Sequence, residues 1–157
     1  MRVGHGLDAH RLVAGRELML GGVRIPHDRG LAGHSDGDAL LHAVASAILG
    51  ALGDGDLGTH FPSSDPALEG ISSRRILARV MARARSRGLE LGNLDATLIA
   101  QEPRLGPHLE AMRDAISRCL EVEASRVNVK VTSTDGLGSL GRGEGIAAQA
   151  VVLLESA

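Results

Sequence analysis

The sequence contains no tryptophan and no tyrosine, and Phe61 is its one phenylalanine. Recognition of single-stranded nucleic acid leans on aromatic stacking platforms, so this poverty argues against a nucleic-acid reader. The charge agrees: 17 basic and 19 acidic residues leave a net −2, and no global field gathers polyanions. A single cysteine, Cys119, forbids an internal disulfide framework and a cysteine-based metal cluster. No apolar run reaches the roughly 18 residues of a membrane span, and the start MRVGHGLDAH lacks a signal peptide's apolar core. The expectation is a soluble, cytoplasmic protein with neither nucleic acid nor membrane as partner. A chain of 157 residues suffices for one domain, residues 1–157, with an aliphatic core.

What the sequence has in excess is glycine and clustered histidine. Of 21 glycines, 12 fall before residue 59 and five lie within residues 136–145. Five of the seven histidines (His5, His10, His27, His34, His42) stand in the first 42 residues. Glycine lets backbone approach a ligand closely, and histidine is the commonest metal ligand. The N-terminal third and the stretch 132–145 therefore read as site-building segments.

Residues 2–10 read as an opening strand, and 17–20 with 22–25 as a hairpin turned at Gly21-Gly22. The strongest helix spans 39–52: Leu40, Leu41, Val44, Ile48, Leu49 and Leu52 keep three-to-four spacing behind an Asp38 N-cap. Residues 55–71, with two prolines and many small polar side chains, read as a long functional loop. A basic amphipathic helix over 72–87, with a solvated charged face, is followed by a strand over 94–100. A helix runs from Pro107 to about Leu120, and strands follow over 127–132 and 146–154. Cys119 is expected in the core, and Lys130, between Val129 and Val131, toward solvent or a subunit interface. Interleaved strands and helices without linker or repeat predict a single α/β (α+β) domain, a mixed sheet packed on helices.

Three constellations could carry chemistry. Asp8 and His10 are i and i+2 on a strand and share a face, and His42 lies one turn into the best helix. Two histidines and one carboxylate leave coordination positions open, as in a catalytic zinc site, though Asp8 capping a turn beside two ordinary polar histidines fits equally. The run His34-Ser35-Asp36-Gly37-Asp38 precedes a helix N-terminus, where free N–H groups favour phosphate; it also reads as a plain capping turn. Thr132-Ser133-Thr134-Asp135 and the glycine-rich stretch through Arg142 suit a diphosphate with a divalent cation, or a simple turn between strands. There is no Walker A loop; the G-x-G-x-x-G of residues 136–141 is followed by no helical pattern and is weak by itself.

With these residues in view, RVGHGLDAHRL, GGVRIPHDRGLAGHSDGDALLHA, GDGDLGTHFPSSDP and GLGSLGRGEGIAAQAVVLL together resemble 2-C-methyl-D-erythritol 2,4-cyclodiphosphate synthase over nearly the whole chain. The resemblance implies an enzyme of non-mevalonate isoprenoid synthesis, a phosphorus–oxygen lyase. Its substrate would be 4-diphosphocytidyl-2-C-methyl-D-erythritol 2-phosphate, converted to the cyclic diphosphate and CMP. It implies a homotrimer with sites between subunits, a bound zinc, and a second divalent ion, magnesium or manganese. Asp8, His10 and His42 match the zinc ligands, His34 and Ser133 the transition-state-stabilising pair, and Asp135 the carboxylate on the second ion. Asp56, Leu57, Gly58, Phe61, Pro62, Ser63, Ser64 and Asp65 match substrate-binding positions around the erythritol end, and Ala9, Ser35 and Thr134 match further substrate-binding positions. On the nucleotide side stand Ala100, Gln101, Glu102, Pro103, Arg104, Leu105, Gly106 and Thr132, with Ser139 and Arg142 near the trimer axis. Three positions depart from the usual family pattern: Ser133 replaces Thr, Asp135 replaces Glu, and Ser139 stands where a bulky apolar residue is common. The hydroxyl and the carboxylate survive, the latter one methylene shorter.

Overall fold

The computed structural model describes residues Met1–Ala157. A five-stranded mixed sheet, in the order β4-β1-β7-β5-β6, forms its frame. Strand β1 (Arg2–Ala14) pairs antiparallel with β7 (Gly145–Ser156) from Arg2↔Leu154 to Arg11↔Gly145. Beyond that, β1 bends its last residues onto the short β4 (Arg29–Leu31), which has no periodicity of its own and exists only by this pairing. Strand β5 (Leu89–Ile99) runs antiparallel to β7 and parallel to β6 (Val127–Thr132). It begins five residues earlier than its alternation suggests, because the register slips at Gly92 and Leu89–Leu91 pair on the far side of the irregularity. A separate hairpin joins β2 (Leu18–Leu20) and β3 (Val23–Ile25), turned by Gly21 and Gly22 at φ 60° and 75°, as Gly-Gly demands.

One face of the sheet carries the helices α1 (Ala39–Leu52), α3 (Ser73–Ser86) and α4 (Leu109–Leu120). Helix α1 is buried nearly all round, so its leucine stripe is only part of what it packs. It lies directly on the backbone of β1: a Cβ at Gly4 would sit 1.9 Å from the Ala47 carbonyl oxygen, and one at Gly6 2.0 Å from that of Ala43. Any larger residue there would push the helix off the strand. Asp38 caps α1 by accepting from the Leu41 N–H, and its other contacts lock the β2–β3 turn, with the Gly21 and Gly22 N–H groups donating to it at 2.9 and 2.8 Å. Burial pushes the Asp38 carboxyl up.

The loop 55–71 is more ordered than its composition implies. It contains a one-turn helix, α2 (Leu57–His60), and a 3-10 turn at Pro66–Leu68. Asp56 and Asp65 start these turns by accepting from the N–H groups of Thr59 and Ala67. A further single turn, α5 (Gly138–Gly141), replaces the expected plain loop. Cys119 is half-buried at the rim of the core rather than within it, its thiol donating to the Arg74 carbonyl. Lys130 pairs with Asp95 on the uncovered face. No helix is long and apolar enough to cross a membrane.

Candidate metal and phosphate site

The residues of β1 that face the helices are Gly4, Gly6, Asp8, His10 and Leu12. Helix α1 covers Gly4 and Gly6 but begins only at Ala39, so Asp8 and His10 emerge beyond its end, beside His42 in its first turn. Strand parity and helix position thus converge three donors. Asp8 Oδ2 lies 2.5 Å from His10 Nε2 and 3.0 Å from His42 Nδ1, and the two ring nitrogens are 3.2 Å apart. The alternative in which Asp8 caps a turn does not hold. Burial pushes the Asp8 carboxyl up, but the two histidines outweigh it and hold it down at about 2. Burial pushes His10 down, and the adjacent Asp8 carboxylate more than reverses that, so its ring is raised.

These residues fit a metal ion. Metal–ligand distances of about 2.0–2.1 Å in a tetrahedral site imply donor–donor edges of about 3.3 Å. The edges to His42 come near that value, and a small turn of the Asp8 carboxylate lengthens the third. The outer ring nitrogens are also held: His10 Nδ1 lies 2.6 Å from the Ala32 carbonyl oxygen, and His42 Nε2 lies 3.0 Å from Ser35 Oγ and 2.9 Å from Ser73 Oγ. Outer partners of this kind orient ligating imidazoles.

The three donors open onto a cavity of about 230 Å³ whose lining also includes His34, Ser35, Leu57, Gly58, Phe61 and Ser63. The mixture of an apolar wall and few convergent polar groups suits a small ligand. His34 points toward the 61–65 loop, its Nε2 3.3 Å from the Asp65 carbonyl oxygen. Pro62, Ser64 and Asp65 belong to the same loop without lining the cavity, and Asp56 is occupied with Thr59. At the α1 N-terminus Asp38 takes the Leu41 N–H and Asp36 the Asp38 N–H, which sets two carboxylates where a phosphate would sit.

The remaining expected residues gather elsewhere. The Ala100 N–H donates to the Thr132 carbonyl, and the Gly136 N–H to Gln101 Oε1, which joins the 100–106 segment to the end of β6. Glu102 pairs with Arg29, and Leu105 is buried. Ser133 Oγ accepts from the Asp135 N–H at 3.2 Å, Thr134 Oγ1 donates to the Leu137 carbonyl, and Asp135 is exposed at φ 55°. Ala9 and Ser139 line a shallower groove, and Arg142 Nε donates to Glu144. None of the residues from 100 to 142 lines the cavity of the histidine cluster, so one chain does not bring His34 and Ser133 together. Sequence reasoning missed Leu68, Ile71 and Ile76 at this cavity and Ser73 behind His42; Ser72-Ser73 offered only a capping signal, with Ser72 taking that role.

The family model described as the YgbB family matches residues 1–155. A 2-C-methyl-D-erythritol 2,4-cyclodiphosphate synthase of Geotalea daltonii is 59% identical over 155 residues, covering 99% of this chain and 91% of the relative. Among solved structures, a 2C-methyl-D-erythritol-2,4-cyclodiphosphate synthase in its CDP-bound form superposes with TM-score 0.90 at 39% identity, over 98% of this chain and all of the other. The bifunctional IspDF of Campylobacter jejuni superposes with TM-score 0.96 at 39% identity over 99% of this chain, which spans 42% of that longer protein.

Proposed function

The chain belongs to the YgbB family, and on that premise we propose that it is a 2-C-methyl-D-erythritol 2,4-cyclodiphosphate synthase of the non-mevalonate isoprenoid route. Its substrate is 4-diphosphocytidyl-2-C-methyl-D-erythritol 2-phosphate. An oxygen of the 2-phosphate attacks the β-phosphorus, the bond from that phosphorus to the bridging oxygen breaks, and CMP leaves with the oxygen. The observation that carries this reading is the convergence of Asp8, His10 and His42 at the mouth of a cavity that also holds His34.

Asp8, His10 and His42 would hold zinc, and Asp135 would hold a magnesium or manganese ion. Bound cations screen the repulsion between two phosphates and act as Lewis acids on phosphoryl oxygens. The chain's own contribution is position. A phosphate monoester already carries about −1.5 to −2 charge at neutral pH, so no strong general base is needed to create the nucleophile. Holding both ends of one molecule raises the effective molarity of the attack. His34 and Ser133 donate to the phosphoryl oxygens as charge grows on them.

Because His34 and Ser133 do not meet within a chain, the reading requires a second copy. The uncovered face of the sheet offers Val3, Leu7 and Val151, exposed by 68%, 58% and 46%, as an apolar surface for that contact. A homotrimer closed through this face brings one copy's 100–106 and 132–135 segments to its neighbour's cavity. The test is incubation with the authentic substrate followed by phosphorus NMR. The cyclic diphosphate and equimolar CMP are expected; a linear phosphate with CMP would mark a hydrolase and overturn the reading.

A further inference from the structure

Two hydroxyls, Ser35 Oγ and Ser73 Oγ, stand within hydrogen-bond distance of the single outer nitrogen of His42. Only one of them has its proton committed. Ser73 is fully buried, its hydroxyl donates to Asp36 Oδ1 in a short contact, and its backbone N–H donates to Asp36 Oδ2 at 3.0 Å. A serine hydroxyl has one proton and two lone pairs, so Ser73 can meet His42 only as an acceptor. That places a ring proton of His42 on Nε2 and turns Nδ1 toward Asp8 and His10. Ser35 is under no such constraint: its oxygen accepts from the Gly37 N–H and borders the cavity.

We propose that Ser73, held by Asp36, is a positioning residue that fixes the ring orientation of His42, so that Nδ1 faces the metal position beside Asp8 and His10. The inference rests on the reading of Asp8, His10 and His42 as metal ligands and adds what prepares one of them. The two histidines are prepared differently. His10 is held by a backbone carbonyl on the loop just after β4, whereas His42 is held by a side chain from the first turn of α3. Asp36 joins these parts, since it also accepts from the Asp38 N–H just ahead of α1. Helix α3 in turn follows the segment that supplies Leu68 and Ile71 to the cavity wall. A displacement of that segment therefore reaches the metal ligand through Ser73.

The test uses zinc affinity and histidine nitrogen NMR, neither of which depends on turnover. In the zinc-loaded parent, nitrogen-15 shifts should place the metal on His42 Nδ1 and a proton on Nε2; metal on Nε2 overturns the proposal, and this measurement needs no variant. Ser73→Ala should weaken zinc binding, measured by chelator competition, by about 10–100-fold, the usual effect of removing an outer partner of a metal ligand. Ser73→Thr should restore the parent affinity by restoring the hydroxyl. Ser35→Ala should change zinc affinity by less than about a third of that factor. An affinity for Ser73→Ala within twofold of the parent, or an equal loss in Ser35→Ala, overturns the assignment to Ser73. Failure of the parent to bind zinc at all would instead overturn the reading of the site.

Discussion

Around His42 the chain completes its own arrangement: both ring nitrogens of each clustered histidine have partners, and the cavity wall is assembled from β1, α1, α2 and the start of α3. At the other end of the sheet, Ser133, Asp135 and Ser139 are exposed, and the segment is held mainly by local turns and the link from Gly136 to Gln101. The first region is held together by contacts between elements far apart in one chain, and the second mainly by contacts within its own turns. The contrast divides the work of a phosphoryl transfer. On the proposed reading, cations would bind where folding alone holds donors close together, and the nucleotide would be recognised at the exposed segment.

The sharpest way to test the first region is to remove a donor that nothing else can replace. His42→Ala should lower kcat at least ~1000-fold, equivalent to several kcal/mol of lost charge stabilisation, and reduce zinc content in metal analysis. Full zinc occupancy in that variant would contradict the assignment. The second region can be isolated by blocking assembly. Leu7→Glu with Val151→Glu puts unpaired charges on the uncovered face, a change worth several kcal/mol if that face is buried between copies. Light scattering should then report monomers that still bind zinc but have lost activity by about 100-fold or more. Monomers with parental turnover would show that one chain suffices.

A smaller effect is expected at Asp135. Its carboxylate is one methylene, roughly 1.5 Å, shorter than the glutamate the family resemblance leads one to expect, so on the proposed reading it would reach a divalent ion through a shifted loop or a bridging water. Asp135→Asn should raise the magnesium concentration for half-maximal rate by about tenfold, as for other outer partners, and Asp135→Glu should lower it. Unchanged metal dependence in both would leave Asp135 a turn residue.

The smallest concerns Asp95 on the same uncovered face. The Lys130 ammonium and then the Asn128 amide hold its carboxyl below the usual range near 3.8. The folded value lies below the unfolded one, so the stabilisation is present above about pH 4 and is lost as pH falls through the depressed value. The pair is half-exposed, so Asp95→Asn should cost under ~0.5 kcal/mol in denaturant melts of the monomeric double variant at pH 7, vanishing with added salt. A larger cost that persists in salt would indicate that the pair is shielded even within a single chain.

Local chemistry made much of this legible in the sequence. The i, i+2 parity of Asp8 and His10, the leucine spacing of α1, the Asp38 cap and the Gly21-Gly22 turn each depend on a few neighbouring residues, and each appears in the structure where the spacing put it. The limits of β5, the existence of β4 and the half-burial of Cys119 depend on pairing or packing with distant segments, and local periodicity carries no trace of that.

The sequence by itself determined which side chains could ligate a metal and on which kinds of element they ride, because backbone geometry turns short spacings into shared faces. Only the tertiary structure decided that they meet. Glycine at positions 4 and 6 lets α1 settle onto β1 at the depth that brings His42 to Asp8 and His10, and Asp36 reaches across 37 residues of chain to engage Ser73 beside that histidine. The same packing kept residues 100–142 away from the cavity. Contacts between elements far apart in sequence follow from how their surfaces fit, and a linear pattern records the faces without recording the fit.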